Sequence, residues 1–146
     1  MAKEIIEKIK NRFPKGVIRR IDEKSKKRVY IHIDPAHIIE VSKYIFHDLD
    51  ARFAIATGMD TPDGIEIFYH YAFDKTGRVL SVCVLLDRQS PEIESLAPHI
   101  KATEWIEREI HELLGVDFKN HPNLAHLVLS DDWPEGKYPL RKDFKP

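Results

Sequence analysis

Apolar positions along this chain follow two rhythms, and the switches between them predict its elements. Ile5, Ile6, Ile9 and Phe13 share one face of a 3.6-residue period, with Lys3, Glu7, Lys10 and Asn11 opposite. That spacing predicts an amphipathic helix over 3–13, stopped by Pro14 and Gly16. Val17–Ile21 and Arg28–Ile33 read as two strands joined by a polar loop, Asp22 to Lys27. Asp34-Pro35 starts a second helix, since aspartate caps and proline suits the first turn. It runs to about Phe46, with Ile38, Val41, Ile45 and Leu49 turned inward. Three strands follow: Arg52–Met59, Ile65–Phe73 and Val79–Leu86, the last a continuous apolar run suited to the centre of a sheet. Gln89 to Pro98 reads as a loop. A last helix spans about Ala102 to Leu114, with Ala102, Trp105, Ile106, Ile110, Leu113 and Leu114 on one face and Gly115 as its stop.

The order α-β-β-α-β-β-β-α, with hairpins between neighbouring strands, predicts an α+β domain of helices packed on a mixed, mostly antiparallel sheet over residues 1–115. Residues 116–146 differ. They lack periodicity and hold four of the nine prolines, yet carry Phe118, Leu124, Leu127, Val128, Leu129, Trp133, Tyr138, Leu140 and Phe144. An irregular segment cannot bury those groups on itself, so it either wraps its own domain or meets a partner. The expectation is an extended, partner-binding tail.

Composition narrows the functions. Lys+Arg is 23 and Asp+Glu is 24, a net charge of -1, which argues against a broad basic surface for nucleic acid. The lone Cys83 excludes an internal disulfide, a Cys₄ zinc site and an iron–sulfur cluster of the chain's own, and fits a reducing compartment. The N-terminus shows no apolar signal core, and the longest apolar stretch, Val79–Leu86, is far shorter than the ~20 residues of a membrane span. Scarce Gln and Asn beside abundant Lys and Glu lean towards a thermophilic source.

Candidate chemistry is thin. The eight histidines show no ligand spacing; His111-Glu112-Leu113-Leu114-Gly115 opens like a zincin helix, but Gly115 stands where the second histidine belongs. Glu107-Arg108-Glu109 with His111 and Glu112 forms a dense charged cluster. Glu109 or His111 could serve as a general base in a free-standing enzyme; the plainer alternative is a solvated face of i,i+4 pairs. At the C-terminus, Tyr138-Pro139-Leu140-Arg141-Lys142-Asp143-Phe144 offers apolar anchors beside charges that can grip a partner.

Five blocks then stand in order: Glu107-Arg108-Glu109, Leu114 to Phe118, His121-Pro122-Asn123-Leu124, Asp131-Asp132-Trp133, and Pro139 to Phe144. In this the chain resembles the 30-kDa-subunit family of respiratory complex I and of related membrane-bound [NiFe] hydrogenases and sulfur-reducing complexes. The resemblance implies an accessory subunit without a cofactor, in the hydrophilic arm of an ion-pumping oxidoreductase, peripheral on the cytoplasmic side of the membrane. Its partners would be a large catalytic subunit and a small iron–sulfur subunit; [4Fe-4S] clusters and a NiFe centre would lie on those subunits. By the same resemblance Glu107, Arg108 and Glu109 hold the last helix and the tail's start, and His121-Pro122 makes a rigid corner. Trp133, Tyr138, Leu140 and Phe144 face the partner, and Arg141, Lys142 and Asp143 pair with charges of the large partner. Ala125 and His126 stand where the family usually has two arginines. The insertion Pro134 to Tyr138 resembles the hydrogenase branch more than NADH-dehydrogenase chains. The equivalent subunit of a quinone-linked or sulfur-reducing complex is the alternative.

Overall fold

A computed structural model describes residues 2–146. Helix α1 (Ala2–Arg12) precedes strands β1 (Ile18–Ser25) and β2 (Arg28–Ile33). The polar loop expected over 22–27 shrinks to a turn at Lys26-Lys27, because the charged residues Asp22, Glu23 and Lys24 continue the strand at a solvated sheet edge. Asp34 then caps as expected, its Oδ1 accepting the Ala36 amide at 3.0 Å. One 3₁₀ turn (Pro35–His37) leads into α2 (Ile38–Lys43), which widens to a π turn over Tyr44–Asp48. Ile38, Val41 and Ile45 are buried and Leu49 half-buried.

Strands β3 (Arg52–Thr61), β4 (Gly64–Phe73) and β5 (Arg78–Leu86) complete a five-stranded sheet in the order β1-β2-β5-β4-β3. Only β2–β5 is parallel, so the sheet is mixed and mostly antiparallel. β5 lies at its centre and is buried along most of its length, which is why its sequence runs apolar without alternation. In register across the sheet, Ile31, Val82, Tyr69 and Ala56 form one inner row, and Val29, Leu80, Tyr71 and Phe53 another. These rows join Ile6, Ile9, Phe13, Ile38, Val41 and Ile45 from the helices in one core. The opposite face carries Tyr30, His32, Phe68 and His70, all partly exposed.

Residues 89–98 are not simply a loop. They contain β6 (Glu92–Glu94), which pairs in parallel with β7 (Asp117–Lys119), the two joined by α3 (Glu104–Leu114). A parallel pair needs a crossover, and α3 is that crossover. Short strands of three residues lack a legible alternation, so only the pairing reveals them. Val116 and Phe118, just beyond Gly115, are buried in the core. The inward face of α3 also differs from expectation. Trp105 is 67% exposed and Ala102 is exposed, whereas Thr103, Glu107, Ile110 and Leu114 are buried. Leu114 and Ile110 lie against Gly58 of β3; a Cβ there would stand 2.7 Å from Leu114 Cδ1. Glycine at this point lets the helix settle directly on the strand.

Candidate docking surface

The charged cluster of α3 is not a solvated face, since Glu107 and Glu112 within it are buried. Its two buried glutamates are structural acceptors on opposite sides of the helix. Glu107 receives the Ser95 hydroxyl at 2.7 Å, the Leu96 amide at 3.0 Å, the Ala97 amide at 3.2 Å and the Thr103 hydroxyl at 3.4 Å. It thus ties the turn after β6 to α3. Burial pushes its carboxyl up to about 7, against the downward pull of the hydrogen bonds from Ser95, Leu96, Ala97 and Thr103. The hydroxyls of Tyr69 and Tyr71 and Ser42 Oγ are buried without a hydrogen-bond partner within this core, and burial holds both phenols well above their ordinary range.

Glu112 grips the tail. Its carboxylate accepts the amides of Leu127 at 3.1 Å, Val128 at 2.6 Å and Leu129 at 3.4 Å, and the His126 ring Nδ1–H at 3.0 Å. Burial alone would raise this carboxyl; those donors outweigh it and hold it below the usual range. One helical turn earlier Arg108 donates Nε–H to the Ala125 carbonyl at 2.9 Å and Nη2–H to the His126 carbonyl at 2.7 Å. Arg108 and Glu112 therefore close on one loop, 125–129, from a single helix face. Ala125 and His126 make backbone contacts here that need no arginine side chain. His121 donates Nε2–H to the Glu104 carbonyl at 2.9 Å and accepts the Asn123 amide on Nδ1, which anchors the His121-Pro122 corner to α3.

The last block folds back as well. Gly115 ends α3 with φ +77, and the Tyr138 ring packs where a Cβ would sit, 2.5 Å away. Leu140 pairs its amide with the Leu113 carbonyl at 3.0 Å. Arg141 donates Nε–H to the Leu114 carbonyl at 2.6 Å and Nη1–H to the Arg88 carbonyl at 3.2 Å, with its guanidinium over the Tyr138 ring. The Lys142 amide reaches Asp60, itself bridged to Arg88 at 2.6 Å. The resemblance pairs Arg141 with a charge on a large partner; within this chain two of its five N–H donors go to the carbonyls of Leu114 and Arg88. Trp133 closes the 134–138 insertion by donating Nε1–H to the Lys137 carbonyl, and it stacks on Phe144 at 6.2 Å. Glu109 is half-buried, and Lys142 and Asp143 present exposed side chains.

Periodicity misses Glu107 and Glu112 as buried groups because a charged residue counts against an inward position. Yet Thr103, Glu107, Ile110 and Leu114 stand at 4-3-4 spacing, a signal that places Glu107 inside. Asp60 with Arg88 leaves no local signal.

The result is a helix-backed sheet whose C-terminal segment is fastened along its last helix while exposing Val128 at 61% and Leu140 at 56%, and the helix itself exposes Trp105. The family described as respiratory-chain NADH dehydrogenase, 30 Kd subunit, matches residues 31–146, and the chain belongs to it. It is 38% identical to a subunit of the F(420)H(2) dehydrogenase of Methanosarcina mazei, over 99% of this chain and 92% of that one. It is 32% identical to hydrogenase-4 component G of Escherichia coli, over 95% of this chain but only 26% of that longer protein. Its fold superposes on a chain of the membrane-bound sulfane sulfur reductase, an archaeal respiratory membrane complex. That match has a TM-score of 0.83 and 24% identity, covering 99% of this chain and 85% of that one. No helix among the described residues is long and apolar enough to cross a membrane.

Proposed function

We propose that this chain is an accessory subunit of a membrane-associated oxidoreductase, without a redox centre of its own, that docks on a large catalytic subunit through its clasped tail. The observation that carries this is the exposure of Val128 and Leu140 on a tail held in place by Arg108, Glu112 and Arg141, with Trp105 exposed on the helix that holds it. A monomer gains nothing from fastening apolar side chains outward; a docking partner gains a pre-ordered surface, with less entropy lost on binding. Electrons would pass through [4Fe-4S] clusters on neighbouring subunits, including a small iron–sulfur subunit, on the cytoplasmic side of the membrane.

The hydrogenase-type assembly, with a NiFe centre on the large subunit, is favoured by the 134–138 insertion. A second reading, an F(420)H(2) dehydrogenase assembly, is favoured by the 38% identity over nearly the whole of both chains. Affinity purification of the tagged chain from detergent-solubilised membranes, with mass spectrometry and metal counting, tests both. Iron with nickel in the recovered complex supports the hydrogenase type. Iron without nickel, and oxidation of F(420)H(2), supports the second. A chain recovered alone refutes the assembly role.

A further inference from the structure

The two edges of the sheet are built in opposite ways. β1 bears five charged residues among eight, Arg19, Arg20, Asp22, Glu23 and Lys24, and is guarded against pairing with another strand. β3 is ten residues long, carries charge only at Arg52 and Asp60, and has no lysine or proline. Both charges are already neutralised within the chain, Arg52 by Asp74 at 2.9 Å and Asp60 by Arg88 at 2.6 Å. A bulge between Phe53 and Ile55 bends the start of the strand, leaving Ile55 to Thr61 as a regular run. β3 pairs only with β4, so alternate residues aim N–H and C=O away from the sheet. Among the described residues no loop, side chain or tail segment hydrogen-bonds to those outward groups. Beside this edge the outer face shows Ile55 at 49%, Met59 at 44% and Leu85 at 42% exposure. In register, Met59, Glu66 and Leu85 form one row, and Ile55 lies four residues earlier on the same face of β3.

We propose that the free edge of β3 receives an extended segment of another subunit of the same assembly, which adds a sixth strand to the sheet. Ladder geometry specifies the occupant's shape: an extended run of about five to seven residues pairing with Ile55–Thr61. The outer face specifies its chemistry: apolar side chains at alternate positions, packing beside Ile55 and Met59. On its other face small side chains fit, because α3 lies against Gly58 there. A different subunit is the occupant rather than a second copy. The relative that is 38% identical over nearly all of both chains is itself one subunit of a larger dehydrogenase, so this fold is built there to meet unlike chains. The proposal rests on the assembly role above, but it concerns a surface distinct from the tail.

The test compares hydrogen exchange of the full chain alone and in the complex purified from membranes, together with the double variant Ile55→Lys, Met59→Lys. Both side chains are exposed, so the variant chain should melt within a few degrees of the parent. Amides of Ile55–Thr61 should gain about tenfold or more protection in the complex, and the variant should retain about tenfold less partner. Glu23→Lys on β1 is the control and should retain partner fully. If β3 amides exchange equally fast in both states while the tail is protected, the edge proposal fails and the tail docking stands. Protection of β3 that rises with concentration of the chain alone identifies a second copy and also overturns it. A parent chain recovered without any partner removes the assembly role itself.

Discussion

Glu112 is where the clasp can be broken by one substitution. In Glu112→Ala the amides of Leu127, Val128 and Leu129 lose their acceptor, and the His126 ring loses its partner. Hydrogen bonds to a charged group contribute about 1.5–3 kcal/mol each when buried. Three of these are well formed, at 2.6, 3.0 and 3.1 Å, and the Leu129 amide is shared between both carboxylate oxygens at 3.4 Å. The loop is at the surface, so its freed amides regain water when it lifts. The net loss should therefore be about 2–4 kcal/mol in the local opening of 125–129, not in global unfolding. Native-state hydrogen exchange measures this directly: the Val128 amide should lose about 30- to 1,000-fold protection, at about 1.4 kcal/mol per factor of ten. Amides of β4 and β5 should change little. Glu112→Gln keeps one carbonyl acceptor and should fall between. Acid should act similarly. Because the donors hold this carboxyl below its unfolded value, its contribution is present above that value, near 4.5, and is lost as pH falls through the lowered folded one. Unchanged protection of Val128 in Glu112→Ala, or a loss spread evenly through the sheet, would refute the clasp.

Three further outcomes follow from the buried groups. Glu107 has a folded pKa of about 7 above an unfolded value near 4.5, so its contribution is full below 4.5 and is lost as pH rises through 7, by about 3 kcal/mol at most. Urea melts should show Glu107→Gln gaining on the parent chain between about pH 5 and pH 8, and a constant difference would sink this account. Gly58→Ala should cost about 1–3 kcal/mol in the same melts, because the new Cβ meets Leu114 Cδ1 at 2.7 Å; a neutral result would mean α3 shifts freely on β3. Cys83 is buried, and burial pushes its thiol up to about 12, so a thiol reagent should label it only at the rate of unfolding. Rapid labelling of the folded chain would contradict the packing of β5.

Much of the fold is legible locally. The helix at the N-terminus, the capped start at Asp34, the three long strands and the stop at Gly115 all follow from residues a few positions apart. Strand β5 declares its central place by running apolar on both faces. The candidate surface is harder to read. Its five sequence blocks all lie on α3 and the tail, but their roles divide in ways that spacing does not express. Glu107 turns inward, Glu112 holds the tail, and Arg141 completes the end of α3. A sequence window registers these as charge and counts them as exposed. They are buried or half-buried because each meets several backbone or hydroxyl groups left open elsewhere in the chain, and that offsets the cost of removing a polar group from water.

Short-range chemistry alone determines the helices, the long strands and the α+β class, through periodicity and caps within single elements, and the ordered blocks along α3 and the tail carry the family resemblance. The parallel β6–β7 pair, the exposed Trp105, the tail laid back on α3 and the unguarded edge of β3 were decided only by the tertiary structure. Each depends on groups far apart in the chain, such as Glu92 beside Asp117 or Arg141 beside Leu114 and Arg88. A backbone carbonyl at a helix end or a free strand edge looks the same in any sequence; only its placement in space decides what must satisfy it.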